Sequence, residues 1–203
     1  RYISVTGVQT CALPISVETI TRPPESLRPK TVFVMRQLGS PPPEDLVIHK
    51  VVIGLLGESG YDSVDADGTI GGGDYLGRIL DLVRSTGFTV AIFTASTRSS
   101  AMTNIALEMG FAAMCGKPLL IVKGTGAQVP SDLTRTDWIE FDAADQARFE
   151  RKFRQAMDKL DELAGFEEAL LATALEAPRP DCAVAFERAT KGFLLTEIGR
   201  AHV

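Results

Sequence analysis

The chain of 203 residues carries 26 Asp and Glu against 21 Lys and Arg, a net charge of −5 that argues against a nucleic-acid backbone as partner. Two histidines and three cysteines leave little for a zinc site, a Ser-His pair or a disulfide framework. There is no long uninterrupted apolar run, so no membrane span is expected.

In chain order, the first fifteen residues stand apart. They contain VTGVQTCALPI, which resembles a translated sequencing-library adapter, and the terminal IGRAHV, Ile198–Val203, resembles the complementary adapter. The expectation is that residues 1–15 and 198–203 are adapter-derived and that 16–197 is a fragment without its true start or stop. Setting Arg1 and Arg200 aside takes two from the 21 Lys and Arg, for a net charge of about −7. It also removes Cys11 and His202, leaving Cys115, Cys182 and a single histidine, His49.

Residues 16–30 are polar and proline-rich and read as a linker. Thr31–Arg36, TVFVMR, is a β-branched and apolar run of buried-strand type. Gly39, Pro41–Pro43, Glu44 and Asp45 favour a helix start. Leu46, Val47, Val51, Leu55 and Leu56 then recur at helical spacing up to Gly57 and Gly60. Tyr61–Ala66 reads as a second, more polar strand, followed by a glycine-rich loop, Asp67–Gly73. Asp74 suits the N-cap of a helix showing Leu76, Ile79, Leu80 and Val83.

Phe88–Thr94, FTVAIFT, is the strongest strand pattern. The loop ASTRSS leads into a helix over Ala101–Cys115, ended by Gly116, and Pro118–Lys123 forms a fourth strand. Asp137–Asp142 is a short fifth strand. A helix follows over Ala143–Leu163, with Phe149, Phe153, Met157 and Leu160 on one face. Residues 164–197 hold helical pieces separated by Pro178 and Pro180 and read as a helical extension of the 31–163 domain.

Alternating strands and helices predict an α/β fold with an open parallel five-stranded sheet, flavodoxin-like order 2-1-3-4-5 and helices on both faces. Such sheets bind ligands at the carboxyl ends of their strands, near the switch in strand order. The residues delivered there are Arg36 and Gln37, then Asp65 and Asp67 with the glycine-rich loop, then Thr94, Ser96 and Thr97.

The helix over Ala101–Cys115 carries most of the functional signal. It is apolar on nearly every side, the mark of a buried helix, and Glu108 is its only charge, with Asn104 one turn earlier on the same face. A lone carboxylate on a buried helix is costly unless it is paired or lines a cavity. A place in the N-terminal half of the helix would help keep it ionised. The opposing structural reading pairs Glu108 with Arg98 or Lys117. The glycine-rich loop would let backbone amides approach a phosphate or ribose, yet it matches neither a Walker A loop nor the Rossmann spacing. Asp65 and Asp67 suit a ribose or a base edge and equally suit turns. Cys115 reads as a small core residue, and Trp138 as packing at the start of an edge strand.

The run FTVAIFTASTRSSAMTNIALEMGFAAMCGKPLLIVKGTGAQVPSDL resembles the second half of bacterial TIR-like domains and of nucleoside 2-deoxyribosyltransferases. The resemblance rests on Asn104, Glu108 and Gly110 in an Asn-x-x-x-Glu-x-Gly helix, then on Gly116, Lys117 and Pro118 ahead of an apolar strand. Pro130, Ser131 and Asp132 resemble the Pro-Ser-Asp turn of the TIR-like group. The likeness spans roughly residues 31–160 and is specific over 104–118.

This resemblance implies cleavage of an N-glycosidic bond with Glu108 as catalytic carboxylate. Arg36, Gln37, Asp65, Asp67, Thr94, Ser96 and Asn104 would contact the substrate, and Asn104 would orient Glu108 or bind ribose hydroxyls. Thr94-Ala95-Ser96 stands where deoxyribosyltransferases often carry an Asp, which favours the TIR-like branch and NAD as substrate. The implied protein is a cytoplasmic effector or signal generator acting on a small nucleotide or nucleoside. It would need no metal or bound cofactor, and a homo-oligomer is compatible. The alternatives are a nucleoside 2-deoxyribosyltransferase and a non-catalytic nucleotide-sensing domain. A response-regulator receiver fits less well, because Thr94 stands where it needs an Asp. A flavodoxin fits less well, because Arg36-Gln37-Leu38-Gly39 is unlike its phosphate loop.

Overall fold

The computed structural model describes residues 26–66, 75–129 and 138–176, with backbone alone at 75 and 166–176. The chain divides into two compact units, Arg1–Gln146 and Ala147–Val203. In the first unit the strands are β1 (Arg28–Met35), β2 (Asp62–Val64), β3 (Thr86–Phe93), β4 (Leu119–Gly124) and β5 (Trp138–Phe141). All neighbours pair in parallel, in the order β2-β1-β3-β4-β5. The helices between them are α1 (Pro43–Glu58), α2 (Tyr75–Ser85) and α3 (Ser99–Met114). The fold class and strand order are those expected from the alternating pattern.

Alternation along the strands splits the core between two faces. Phe33, Met35, Ala91, Phe93 and Ile121 point to one face and cluster with Ile79, Leu80 and Val83 of α2 and Ile105, Met109 and Ala112 of α3. Val32, Val34, Val90, Ile92 and Val122 point the other way and are also buried. On that side α1 buries Ile48, Val52, Leu55 and Leu56. The reason is directional. The β1–β2 crossover runs along the sheet opposite to the β2–β3 and β3–β4 crossovers, so right-handed connections place α1 on the face away from α2 and α3. Each fully buried phenylalanine, such as Phe33 or Phe93, contributes about 1.5–3 kcal/mol.

Two helices stop in the same manner. Gly60 and Gly116 take positive φ, +74° and +65°. Beyond them Tyr61 N–H donates to the Leu56 carbonyl and Lys117 N–H to the Ala112 carbonyl, both at 2.9 Å. These are six-to-one closures that satisfy otherwise orphaned carbonyls, and they require the left-handed residue that glycine supplies.

Four expectations need correction. The expected linker ends early: Arg28–Lys30 already belong to β1, where Arg28 is in register with Thr86. A proline at position 29 is tolerated because it lies at the strand's start. The apolar residues read at helical spacing in α1 divide: Leu55 and Leu56 are buried, but the first two are not. Leu46 and Val47 are about half exposed, while Asp45 and Ile48 are buried. The helix is apolar on several sides, so its pattern alone does not select a face. Helix α3 is not buried all round, since Leu107 and Met114 are 49 % and 59 % exposed. The last helix, α4, runs unbroken over Gln146–Glu176 through Gly165, rather than ending at Leu163. One interior glycine costs only about 1 kcal/mol, too little to stop a helix flanked by Leu, Ala and Glu.

Candidate functional site

The carboxyl edge of the sheet collects charge. Arg36 follows the last residue of β1, Asp65 follows β2 and Thr94 follows β3, as the strand pattern predicts. The Arg36 guanidinium is 9 % exposed and holds two acids at once. Its Nη1 lies 3.0 Å from Asp45 Oδ1, and its Nη2 lies 3.6 Å from Asp65 Oδ2. Asp45, in the first turn of α1, is fully buried. Burial raises its pKa, against the lowering effect of Arg36 and of the Gln37 backbone amide. Among the described residues, Asp45 Oδ2 and Arg36 Nε have no hydrogen-bond partner.

Glu108 projects from α3 and is 8 % exposed. Its pKa is pushed up from 4.5 to about 7, first by burial and then by the negative charge of Asp65. Among the described residues it has neither an ion pair nor a hydrogen bond. The two basic residues that a structural role would employ are turned elsewhere. Arg98 Nη2 donates to the carbonyls of Leu38 and Gly39, and Lys117 Nζ donates to the Thr86 carbonyl at 2.6 Å, at the opposite edge of the sheet. The expected help from the helix N-terminus is also absent. Because α3 begins at Ser99, Glu108 is the tenth of its 16 residues, beyond the reach of the dipole at the first turn.

The other expected contact residues divide. Gln37 is 2 % exposed, and the protein uses both ends of its amide. Nε2 donates to the Ser40 carbonyl and Oε1 accepts from Arg98 N–H, each at 2.9 Å. It thus steadies a loop in which Gly39 and Ser40 both have positive φ, and ties that loop to the start of α3. Thr94 is 1 % exposed, and its hydroxyl shares a 3.1 Å hydrogen bond with the Thr97 hydroxyl. Ser96 is exposed in the same turn. Asn104 is exposed, one turn nearer the rim than Glu108, and among the described residues no hydrogen bond joins the two. The orienting contact expected of Asn104 is not made. Asp67, the glycine-rich loop and Pro130-Ser131-Asp132 lie outside the described residues.

Two members of the cluster escaped the sequence reading. Asp45 passes as an ordinary acidic residue of a first helical turn. His49, one turn further along α1, is half-buried, and its pKa is lowered by burial and by Arg36 while Asp65 opposes them. The only hint is their i, i+4 spacing, which puts both on one side of the helix. Trp138 behaves as expected: it opens the edge strand β5, packs against the core and lies 4.9 Å under Lys123 Nζ. Cys115 is partly buried against the same core, with a free thiol. Among the described residues, no group of three or more His, Cys, Asp and Glu side chains is placed to hold a metal ion, and no helix is long and apolar enough to cross a membrane.

Comparison with protein-family models and with curated proteins finds no match. Among solved structures, a mutant flavo-di-iron protein from Thermotoga maritima is similar at 15 % identity and a TM-score of 0.48, covering 66 % of this chain and 37 % of its own. The chain thus spans little more than a third of that protein's length.

Proposed function

We propose that this chain cleaves the N-glycosidic bond of a nucleotide, with NAD as substrate and nicotinamide as the departing base, and that Glu108 is the acting carboxylate. The observation that carries the reading is the placement of Glu108: nearly buried on the helix that follows β3, without an ion pair or hydrogen bond among the described residues, and within the electrostatic influence of Asp65. A carboxylate held in this way costs stability unless it serves a ligand. Its placement suits the chemistry. The glycosidic bond breaks with its electron pair passing to the base, which for nicotinamide cancels the ring's positive charge and requires no proton. The sugar is left electron-poor at its anomeric carbon, and an ionised Glu108 would stabilise that carbon or bond to it until water completes hydrolysis. The positive sugar would also pull the Glu108 proton off, since a neighbouring cation favours the charged form.

The test is product identification after incubating the full chain, at high concentration, with NAD and separately with a deoxynucleoside plus a free base. Nicotinamide release that falls at least about a hundredfold in Glu108→Gln is expected. Turnover unaffected by that substitution overturns the assignment.

One observation favours a second reading, transfer of deoxyribose between bases. Burial raises the pKa of Glu108 to about 7, which favours its protonated form and suits it to passing a proton to a base that leaves uncharged. Base exchange with NAD left intact would select this alternative. Nucleotide binding without turnover would mark a sensing domain.

A further inference from the structure

Resting on the nucleotide reading above, we propose that Arg98 is a latch. Its guanidinium holds the loop after β1 shut across the crevice that admits the nucleotide, and entry requires that hold to break.

The place is set by the sheet. In the order β2-β1-β3-β4-β5 the chain leaves β1 toward one margin and β3 toward the other, so strand order switches between them. The loops after those two strands part there, and the gap is where an open parallel sheet takes a ligand. Here the protein bridges it. Arg98, the N-cap of α3, ends the loop after β3, and its Nη2 donates to the carbonyls of Leu38 and Gly39 in the loop after β1. Groups in hydrogen-bonding contact leave no room for a sugar or a base between them.

The two loops are not equally firm. The one after β3 is braced within itself. Thr97 N–H donates to the Thr94 carbonyl at 3.1 Å, and Thr94 N–H donates to the Thr97 hydroxyl oxygen at 2.8 Å. The loop after β1 leans on its neighbour. Gly39 and Ser40 have φ of +63° and +58°, and for serine that region is costly and persists only where the surroundings impose it. Pro41 and Pro42 fix φ on the far side, which leaves Gly39 and Ser40 as the pair able to swing.

The hold is also of a breakable kind. Arg98 is exposed and has no acid partner among the described residues, so water competes for both carbonyl bonds. An arginine serving only as an anchor would sit against a buried carboxylate, as Arg36 does against Asp45. The Arg98 backbone N–H, by contrast, is held by the buried Gln37 amide and keeps the start of α3 in place whatever the side chain does.

The experiment compares the full chain with Arg98→Ala, Arg98→Lys and Ser40→Gly. Without ligand, NMR order parameters of the Gly39 and Ser40 amides should fall from about 0.85 to below about 0.6 in Arg98→Ala. Arg98→Lys, which still donates to a carbonyl, should keep them high. NAD binding is then read by calorimetry in the Glu108→Gln background, where turnover is suppressed. Arg98→Ala should tighten it about three- to tenfold, because a latch weakens apparent affinity by the fraction of molecules left open. Ser40→Gly removes the strain of the shut loop and should weaken binding. Loop amides that stay ordered without the Arg98 side chain overturn the latch. Unchanged or weaker NAD binding in Arg98→Ala does so too, the latter making Arg98 a group that holds the ligand. The nucleotide reading fails separately: no NAD binding in any variant ends that reading, while the order parameters still decide the latch.

Discussion

At the residue scale, the chemistry turns on which protonation state of Glu108 does the work. If the ionised form stabilises a positive sugar, NAD cleavage should rise with pH through a midpoint near 7 and level off above it. If the protonated form delivers a proton to the base, the rate should fall through the same midpoint. A pH–rate profile of nicotinamide release decides the sign, and a profile flat across 5.5–8.5 would remove Glu108 from either role. The candidacy of Glu108 is legible in the sequence because a charge stands out on an otherwise apolar helix. Arg36, Asp65 and Thr94 are legible because strand ends deliver residues to one edge. Asp45 and His49 are not, nor is the structural use the protein makes of the Gln37 amide. Asp45 is buried by a partner nine positions away, and the Gln37 amide meets Arg98 N–H from 61 positions away. No local pattern encodes either meeting.

At the element scale, the helix stops and the sheet order follow from local chemistry, whereas the orientation of α1 does not. Glycines at 60 and 116 read correctly as terminators because only a residue at ease with positive φ closes a helix in that way. Helix α1 is apolar on several sides, so its pattern does not decide which of them is buried, and Ile48 and Val52 face the sheet where Leu46 and Val47 do not. The close approach of β1 and β3 is also invisible in the sequence. A Cβ on Gly87 would overlap the backbone carbonyl oxygen of Pro29, where the pairing of the two strands is irregular. Backbone cannot yield as a flexible side chain does. Gly87→Ala should therefore lower the unfolding free energy by about 1–3 kcal/mol, measured by urea denaturation. A change within about 0.5 kcal/mol would show that β1 shifts at little cost.

At the scale of the whole molecule, Glu108 links protonation to folding. Its folded pKa, about 7, lies above the ordinary 4.5, so the folded state binds this proton more tightly than the unfolded chain. The contribution is fully present below pH 4.5 and is lost as pH rises through 7. The loss is on the order of 3 kcal/mol. Burial raises the pKa of Asp45 too, with the same sign. Wild type should thus lose stability relative to Glu108→Gln between pH 5 and pH 8, and the variant should melt several degrees higher at pH 8. Parallel melting curves for the two across that range would contradict the burial of an uncompensated acid.

The lengths of the strands have a consequence for how the protein meets other chains. The two outermost, β2 and β5, span three and four residues, while the inner three span six to eight. A passing extended segment that tries to extend the sheet finds a template barely one hydrogen-bonded repeat long. Tapering at both margins therefore guards against fibrous association, and the exposed Asp62 of β2 and Glu140 of β5 add charge to the same two strands.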